Sequence, residues 1–500
     1  MGLAILHCRA QYGTEAPAVT IEVFLSGGLP AFTIVGMAET AVRESKDRVR
    51  GALVNSGFEF PQSRITISLG PAEMRKMGGR YDLAIALGIL AAKKRFPRRA
   101  LANLEIYGEL ALDGSLRPVP GLLPAILKAR AAGRSVIVPR ENVAEACLTG
   151  VTAYPARSLL EVTEHLVGSQ AIVAATEPPS PTASPQHADL DDVRGQQHAK
   201  RALEIAAAGS HNLLFIGPPG TGKSMLARRL PGILPRMSEQ EALETCAVAS
   251  VAGVPVNKGT WRVRPFRSPH HTASAAAMVG GGRALGPGEI SRAHNGVLFL
   301  DELPEFNRNV LEALREPMET GAVRLARAAM NADYPARFQL IAAMNPCPCG
   351  YLGDVQSDCR CSRDRVIAYR NKVSGPLLDR IDLHVEVLRP PTEVLRKGEP
   401  GAENSALVAA RVTRARETQW ERSGVANALL EGDALAATCE LSDECWALLE
   451  VAAERFNLSA RAHQRVLRVA RTIADLAGDK KIAPPHVAEA LSLRCLDRRD

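Results

Sequence analysis

The 500-residue sequence predicts an α/β protein of about three domains, with a parallel sheet flanked by helices in the middle of the chain. Three observations support this class. An apolar run at residues 213–216 leads into a glycine-rich segment, and later apolar runs also end in polar residues, as buried parallel strands do. A Pro/Ser/Thr-rich stretch at 176–185 separates this block from an earlier α/β region. The chain after residue 391 has helical periodicity throughout.

These observations divide the chain into four segments. We expect an α/β domain, a linker too poor in apolar residues to pack, the sheet-containing block and a helical lid. Their predicted bounds are 1–170, 171–189, 190–390 and 391–500, in that order.

The composition is that of an ordinary globular chain. The formal net charge of +7 is compatible with a polyanionic partner and equally with a solvated basic surface. The chain start lacks a secretion signal, and no run approaches eighteen apolar residues, so we expect no membrane span and a cytoplasmic location. In that compartment the ten cysteines are not expected to form disulfides.

The segment after the first apolar run has the pattern G-x-x-x-x-G-K-[ST]. Glycines let the backbone fold into a nest of N–H groups, and the helix start that follows adds partial positive charge, so the segment suits nucleotide phosphates. Lys223 would reach the β- and γ-phosphates, and the Ser224 hydroxyl would bind Mg²⁺. A Gly/Pro turn before a helix is the alternative. The candidate ATP contacts are Gly217, Pro218, Pro219, Gly220, Thr221, Gly222, Lys223 and Ser224.

Two later apolar runs end at candidate catalytic residues. One is followed by Asp301, which would hold Mg²⁺ together with Ser224, and by Glu302, which would polarise the attacking water as a general base. The other ends at Asn345, whose amide would hydrogen-bond the γ-phosphate or that water. A strand meeting solvent and a turn asparagine are the alternatives, but the preceding phosphate loop favours catalysis.

These motifs resemble those of the AAA+ ATPases, and the segment 192–196 is similar to the adenine-side box of that family. In the family Asn345 would be the first sensor. Residues 374–382 resemble the arginine-finger segment of the magnesium-chelatase and replicative-helicase clade. The resemblance implies that Arg380 enters the site of a neighbouring subunit and neutralises charge on the transferred phosphoryl group. A surface salt bridge is the alternative for this arginine.

The C-terminal segment 458–465 resembles the second-sensor helix of the same clade, with Arg461 contacting nucleotide. A solvated helix face is the alternative. If Arg380 acts from a neighbouring subunit, the working unit is a ring, with ATP and Mg²⁺ as cofactors.

Residues 264–274, 280–282 with 287–290, and 293–296 resemble one family nearly throughout, as does the N-terminal region. This is the ComM family, also called YifB-like or magnesium-chelatase-like AAA+ proteins. The resemblance implies a hexameric ATP-driven DNA motor that moves branched junctions during natural transformation. A magnesium-chelatase-type subunit that remodels a protein partner is the alternative, which the N-terminal domain is expected to disfavour.

Cationic side chains in and near these stretches are candidate DNA contacts. On a central loop they would track phosphates without reading sequence. An insertion that only packs between subunits is the alternative. The candidates are Arg264, Arg267, His270, His271 and Arg283.

The N-terminal region resembles the Lon-protease-type fold, most clearly at 108–114. Lon proteases need a serine nucleophile that a lysine activates. The corresponding stretch 78–84 contains no serine, and Pro124 stands where the lysine would be expected. We therefore expect a non-catalytic module for assembly or substrate handling.

Four cysteines lie in one stretch directly after the predicted sensor strand: Cys347, Cys349, Cys359 and Cys361. Two close pairs of thiols joined by a short loop supply a tetrahedral ligand set that suits structural Zn²⁺. The pairs are C-x-C rather than the commoner C-x-x-C, and four unligated thiols are the alternative.

Overall fold

The computed structural model describes residues 2–175, 187–256, 259–282, 285–327, 330–354, 356–391, 394, 396, 403–456 and 458–497. The predicted fold class is confirmed, because the chain is α/β with a parallel sheet flanked by helices in its middle and a helical C-terminal region. The strands are β1 Gly2–Arg9, β2 Ala18–Ser26, β3 Ala31–Val35, β4 Arg64–Gly70, β5 Leu104–Ile106, β6 Glu109–Leu110, β7 Leu116–Arg117, β8 Ser135–Pro139, β9 Ala153–Ala156, β10 Leu213–Ile216, β11 Phe266–Arg267, β12 Gly280–Gly281, β13 Gly286–Pro287, β14 Val297–Leu300, β15 Ala322–Arg327, β16 Met330–Pro335, β17 Gln339–Met344 and β18 Leu383–Glu386.

Helices of four to nineteen residues connect and cover these strands. They are α1 Thr40–Arg43, α2 Ser45–Asn55, α3 Asp82–Ala92, α4 Leu123–Ala131, α5 Val143–Leu148, α6 Leu159–Val167, α7 Gln197–Gly209, α8 Lys223–Ala227, α9 Glu239–Val251, α10 Ala275–Val279, α11 Glu289–Arg292, α12 Arg308–Ala313, α13 Arg315–Thr320, α14 Arg363–Arg370, α15 Gly375–Leu378, α16 Ser405–Ser423, α17 Gly432–Thr438, α18 Asp443–Phe456, α19 Ala460–Ala477 and α20 Pro484–Ser492. None of these described helices combines the length and the apolar character needed to cross a bilayer.

The N-terminal domain is built on a seven-stranded sheet in the order β3-β4-β2-β1-β5-β8-β9. Helix α3 packs across β1 and β2, and all of its residues are buried, as its almost uninterrupted apolar sequence requires. Gly88 permits this close approach, because a Cβ there would lie 2.5 Å from a Val23 methyl carbon. The helix and sheet together form the core of this domain.

Several buried polar groups of this domain have hydrogen-bond partners within it. The Ser45 hydroxyl hydrogen-bonds the carboxylate of Asp82, which also accepts from Arg48 Nε at 2.6 Å. The Lys76 ammonium donates to the carbonyl of Pro71. Neither contact joins a serine to a lysine. The Lon-type fold of this domain and its lack of protease activity stay predictions.

The middle block contains a five-stranded parallel sheet in the order β11-β14-β17-β10-β18. The strand that comes first in the sequence, β10, therefore lies between β17 and β18, which come last. In such a sheet the carboxyl ends of neighbouring strands line one crevice. The ends of β10, β14 and β17 carry the three groups of predicted catalytic residues, so the strand order brings them together.

The helical C-terminal region closes on the middle block. Helix α19 packs against α7, α16 and α20, and it buries an apolar stripe that includes Val466, Val469 and Ile473. Ser459 caps its N-terminus by accepting from the backbone N–H of Ala462 at 3.1 Å. This region corresponds to the predicted lid.

The N-terminal domain contacts the middle block through α4 and α9. The backbone N–H of Gly121 donates to the carbonyl of Ser250 at 3.1 Å, and the Ser250 hydroxyl donates to Glu145 at 3.0 Å. Burial raises the pKa of Glu145 to about 7. Residues 176–186 of the predicted linker 171–189 lie outside the described residues, so the four domain boundaries stay predictions.

Candidate nucleotide site

The phosphate loop joins β10 to α8, and its backbone explains its glycines. Gly220 and Gly222 have φ values of +76° and +95°, in the left-handed region that strains other residues. A Cβ at either position would meet nothing within 4 Å, so both face open space. Gly217 has the opposite constraint, since a Cβ there would lie 2.2 Å from the Val387 carbonyl oxygen. The loop thus leaves a cradle for phosphate.

Lys223 begins α8 and is only 8% exposed. Its ammonium donates to the carbonyls of Gly217 at 2.6 Å and Pro218 at 2.8 Å, and to Asn345 Oδ1 at 3.2 Å. Burial lowers the pKa of Lys223 to about 8, although the nearby carboxylates of Asp301 and Glu302 oppose this shift. Phosphate oxygens in the cradle would replace the carbonyl partners and stabilise the charged ammonium. The structure therefore joins the predicted lysine and the predicted first sensor.

Ser224 and Asp301 form an oxygen pair beside this lysine. The Ser224 hydroxyl donates to Asp301 Oδ2 at 2.5 Å. A hydroxyl and a carboxylate beside nucleotide phosphates are the ligands that Mg²⁺ takes in such sites. The residues therefore fit the predicted Mg²⁺: Ser224 and Asp301 would hold the ion, which would supply positive charge beside the phosphates.

Glu302 directly follows Asp301 and bends away from the strand direction with φ +53°. Its side chain is 55% exposed, so water can reach the carboxylate. Its Oε2 lies 3.2 Å from the Nδ1 of His271. The His271 ring also lies 4.2 Å, centroid to centroid, from the ring of His270 and packs edge-on to Phe306.

The contact between His271 and Glu302 is not predicted from the sequence. His271 was predicted only as a DNA contact, and the two residues are far apart in the chain. Their approach depends on the segment around β11 lying beside β14, which local spacing does not reveal.

The predicted adenine-side box also reaches the phosphate loop. The Gln196 side chain donates to the carbonyl of Thr221 at 3.1 Å and to that of Leu388 at 2.5 Å. Gln196 itself has φ +62° and precedes α7. This bridge holds the box against the loop, and the contact with adenine stays a prediction.

Comparisons with known proteins agree with this geometry. Residues 189–395 match the family described as magnesium chelatase, subunit ChlI, and residues 402–494 match its C-terminal part. Residues 21–142 match the family described as subunit ChlI of Mg-chelatase. The chain is 49% identical to the competence protein ComM of Haemophilus influenzae over 504 residues, which cover 100% of this chain and 98% of that protein. The chain belongs to the ComM/YifB family of magnesium-chelatase-like AAA+ proteins.

Two further relatives match this chain over different lengths. The uncharacterized protein YifB of Salmonella typhimurium is 50% identical over 501 residues, which cover 100% of this chain and 98% of that protein. The magnesium-chelatase 38 kDa subunit of Rhodobacter capsulatus is 27% identical over 328 residues, which cover 60% of this chain and 84% of that subunit. Membership of the AAA+ ATPases supports ATPase activity and implies ATP and Mg²⁺ as cofactors.

The two arginines predicted from the resemblance to the magnesium-chelatase and replicative-helicase clade lie in different surroundings. Arg380 is only 7% exposed, and its guanidinium pairs with Glu319 and donates to the carbonyl of Pro376 at 2.5 Å. Arg461 is exposed at the start of α19. Glu319 was not predicted, because nothing in its local sequence indicates a partner. As the predicted finger, Arg380 would have to leave Glu319, and both arginine roles stay predictions.

The finger and second-sensor segments are also tied together within the chain. Arg465, one turn after Arg461, donates to the backbone carbonyl of Arg380 at 3.3 Å and pairs with Asp382. A movement of α19 would therefore shift or break these contacts with the predicted finger segment.

The candidate DNA residues fall into two groups. The guanidinium of Arg264 pairs with Glu241 at 3.3 Å, and that of Arg267 pairs with Glu289 at 2.7 Å. His270 is exposed beside His271. The fifth candidate, Arg283, lies outside the described residues.

The four cysteines of the loop after β17 come together in space. Cys347 Sγ lies 3.4 Å from Cys349 Sγ and 3.7 Å from Cys359 Sγ. The sulfur atoms of all four, including Cys361, lie within 4.8 Å of one another.

Proposed function

We propose that this chain is an ATP-driven motor that assembles into a hexameric ring and moves branched DNA in the cytoplasm during natural transformation. The Haemophilus influenzae relative is a competence protein, which supports the proposed role in natural transformation. We propose that DNA binding is coupled to ATP hydrolysis. The main support for this coupling is the contact between His271 Nδ1 and Glu302 Oε2, which lie 3.2 Å apart.

This contact supplies a physical route from a DNA-binding segment to the catalytic base. A carboxylate that is held by an imidazole is a weaker acceptor for the proton of the attacking water. A DNA phosphate bound by the His270 and His271 pair would compete for the imidazole and free Glu302. Hydrolysis would then proceed fastest on DNA.

The two arginines of the same segment support a more indirect role. Arg264 and Arg267 already have carboxylate partners, so direct DNA contact would exchange Glu241 and Glu289 for phosphates. We propose that these ion pairs hold the segment in place, and that sequence-independent phosphate contact falls to the exposed His270, the partly buried His271 and Arg283.

A magnesium-chelatase-type ATPase that remodels a protein partner is the second candidate. The match to the Rhodobacter capsulatus subunit favours it. The N-terminal domain does not by itself exclude a chelatase-type function, because residues 21–142 also match the family of the ChlI subunit of Mg-chelatase. The near-complete match to ComM gives the DNA motor more support.

ATP turnover measured with and without DNA tests the coupling. We expect a four-way junction to raise the wild-type rate several-fold, while casein leaves it unchanged. His271→Ala should raise the DNA-free rate towards the stimulated rate, so that the ratio of the two rates falls towards one. His165→Ala, a histidine of the N-terminal domain, is the matched control and should keep the wild-type ratio.

Two outcomes would count against this proposal. If no DNA form changes the wild-type rate or is retained in a gel-shift assay, the chain is not a DNA motor. If His271→Ala keeps full stimulation, the histidine does not link DNA to Glu302.

A further inference from the structure

The spacing of the four loop sulfurs is that of a metal site rather than of a disulfide or of unrelated thiols. In a tetrahedral tetrathiolate with Zn–S bonds of about 2.3 Å, the sulfurs lie about 3.8 Å apart. The pairs among Cys347, Cys349 and Cys359 are separated by 3.4, 3.7 and 3.7 Å. A disulfide would bring two sulfurs to about 2.05 Å, and all ten cysteines of the chain are free.

Backbone N–H groups of the loop lie beside two of the cysteine sulfurs. The N–H groups of Tyr351 and Arg360 donate to the sulfur of Cys349, and the N–H of Cys361 donates to that of Cys359. Such N–H contacts orient metal-bound sulfurs and spread their negative charge. The loop therefore has both the ligands and the groups that support them.

We propose that Cys347, Cys349, Cys359 and Cys361 bind one Zn²⁺ as a tetrathiolate, and that this ion holds the loop against the nucleotide site. The function of the ion is structural, because four protein ligands leave no open position for a substrate.

The turn that includes the first cysteine pair and Gly350 lies close to the predicted sensor Asn345 and to the phosphate loop. Gly350, one residue after Cys349, has φ +88°, and a Cβ on it would lie 2.8 Å from Pro219 Cδ and 3.8 Å from Asn345 Cγ. Its N–H donates to the carbonyl of Cys347 at 3.0 Å. A turn fixed by the metal therefore packs on two elements that would surround the phosphates.

Among the other described residues of the loop, few bond to side chains outside it. Its described residues between β17 and α14 contain turns and bends but no helix or strand. Arg370 donates to the carbonyl of Pro346 at 3.3 Å, and Arg389 pairs with the buried Asp354 at 3.5 Å. A loop of this length without secondary structure needs another constraint to stay ordered, and a metal cross-link supplies one.

Metal analysis of the full-length protein tests the proposal. We expect about one zinc per chain in the wild type, the same in Cys8→Ala, and less than a tenth of this in the double variant Cys359→Ser with Cys361→Ser. Replacement by Co²⁺ should give the visible absorption bands of a tetrahedral thiolate complex in the wild type only. Wild-type protein from zinc-supplemented medium that holds less than a tenth of an equivalent would overturn the site.

A second measurement tests the link to the nucleotide site. The double variant should bind a fluorescent ATP analogue about tenfold more weakly than Cys8→Ala, with an unchanged circular dichroism spectrum. If the variant does not fold, zinc is removed from the wild type with a mercurial reagent, and affinity is compared before and after. Unchanged affinity after zinc loss would overturn the role of the ion in holding the loop, and zinc retained by the double variant would overturn the ligand assignment.

Discussion

Glu302→Gln is expected to lower ATP turnover by about 10²–10⁴-fold, while the affinity for ATP changes by less than about threefold. An amide has nearly the shape of the carboxylate but does not accept the proton of the attacking water. The side chain is 55% exposed, so the substitution leaves no buried group without a partner. Single-turnover hydrolysis and the binding of a fluorescent ATP analogue separate the two effects.

The matched control for this prediction is Glu305→Gln. Glu305 lies three residues later on the same segment and pairs with Lys372 at 3.3 Å on the surface. This control should keep the wild-type rate, since an exposed ion pair contributes little to stability. A Glu302→Gln protein that turns over ATP at more than a third of the wild-type rate would remove Glu302 as the general base.

Arg380→Ala is expected to lower ATP turnover by about 10³–10⁵-fold without loss of nucleotide binding. The guanidinium would neutralise charge on the phosphoryl group only in the transition state and only from a neighbouring subunit. Glu319, its present partner, has a side chain that is 53% exposed, so hydration can replace the ion pair. Arg365→Ala on α14 is the control and should retain activity.

Mixing two inactive variants distinguishes a finger that acts between subunits from one that acts within its own subunit. A ring of Arg380→Ala and Glu302→Gln chains contains interfaces that have both native residues. Part of the wild-type activity should therefore return on mixing. If mixed rings form and remain inactive, Arg380 does not complete a neighbouring site.

That the candidate nucleotide residues lie together was largely predictable, because they follow strands of one sheet. Asp301 and Asn345 directly follow apolar runs, and Lys223 ends the glycine-rich loop that follows a third run. A parallel sheet brings the carboxyl ends of such runs together. The spacing along the chain was therefore enough to anticipate contacts between residues that are far apart in sequence.

The partners of His271 and Arg380 were not predictable in this way. Each contact joins side chains on separate segments, and its formation depends on how those segments pack and which rotamers they adopt. Glu319 in particular has no local feature that distinguishes it from other surface carboxylates. The cysteine cluster was predictable in part. The spacing of the cysteines along the chain suggested a metal site, but only the folded loop gives the distances between the sulfur atoms.

Conversion of a labelled four-way DNA junction tests the central claim of a DNA motor most directly. Wild-type protein with ATP and Mg²⁺ should convert the junction into two duplexes, and Glu302→Gln should bind the junction and leave it intact. Wild-type protein that hydrolyses ATP at its full rate and binds the junction, yet yields no duplex product, is not a branch-migration motor.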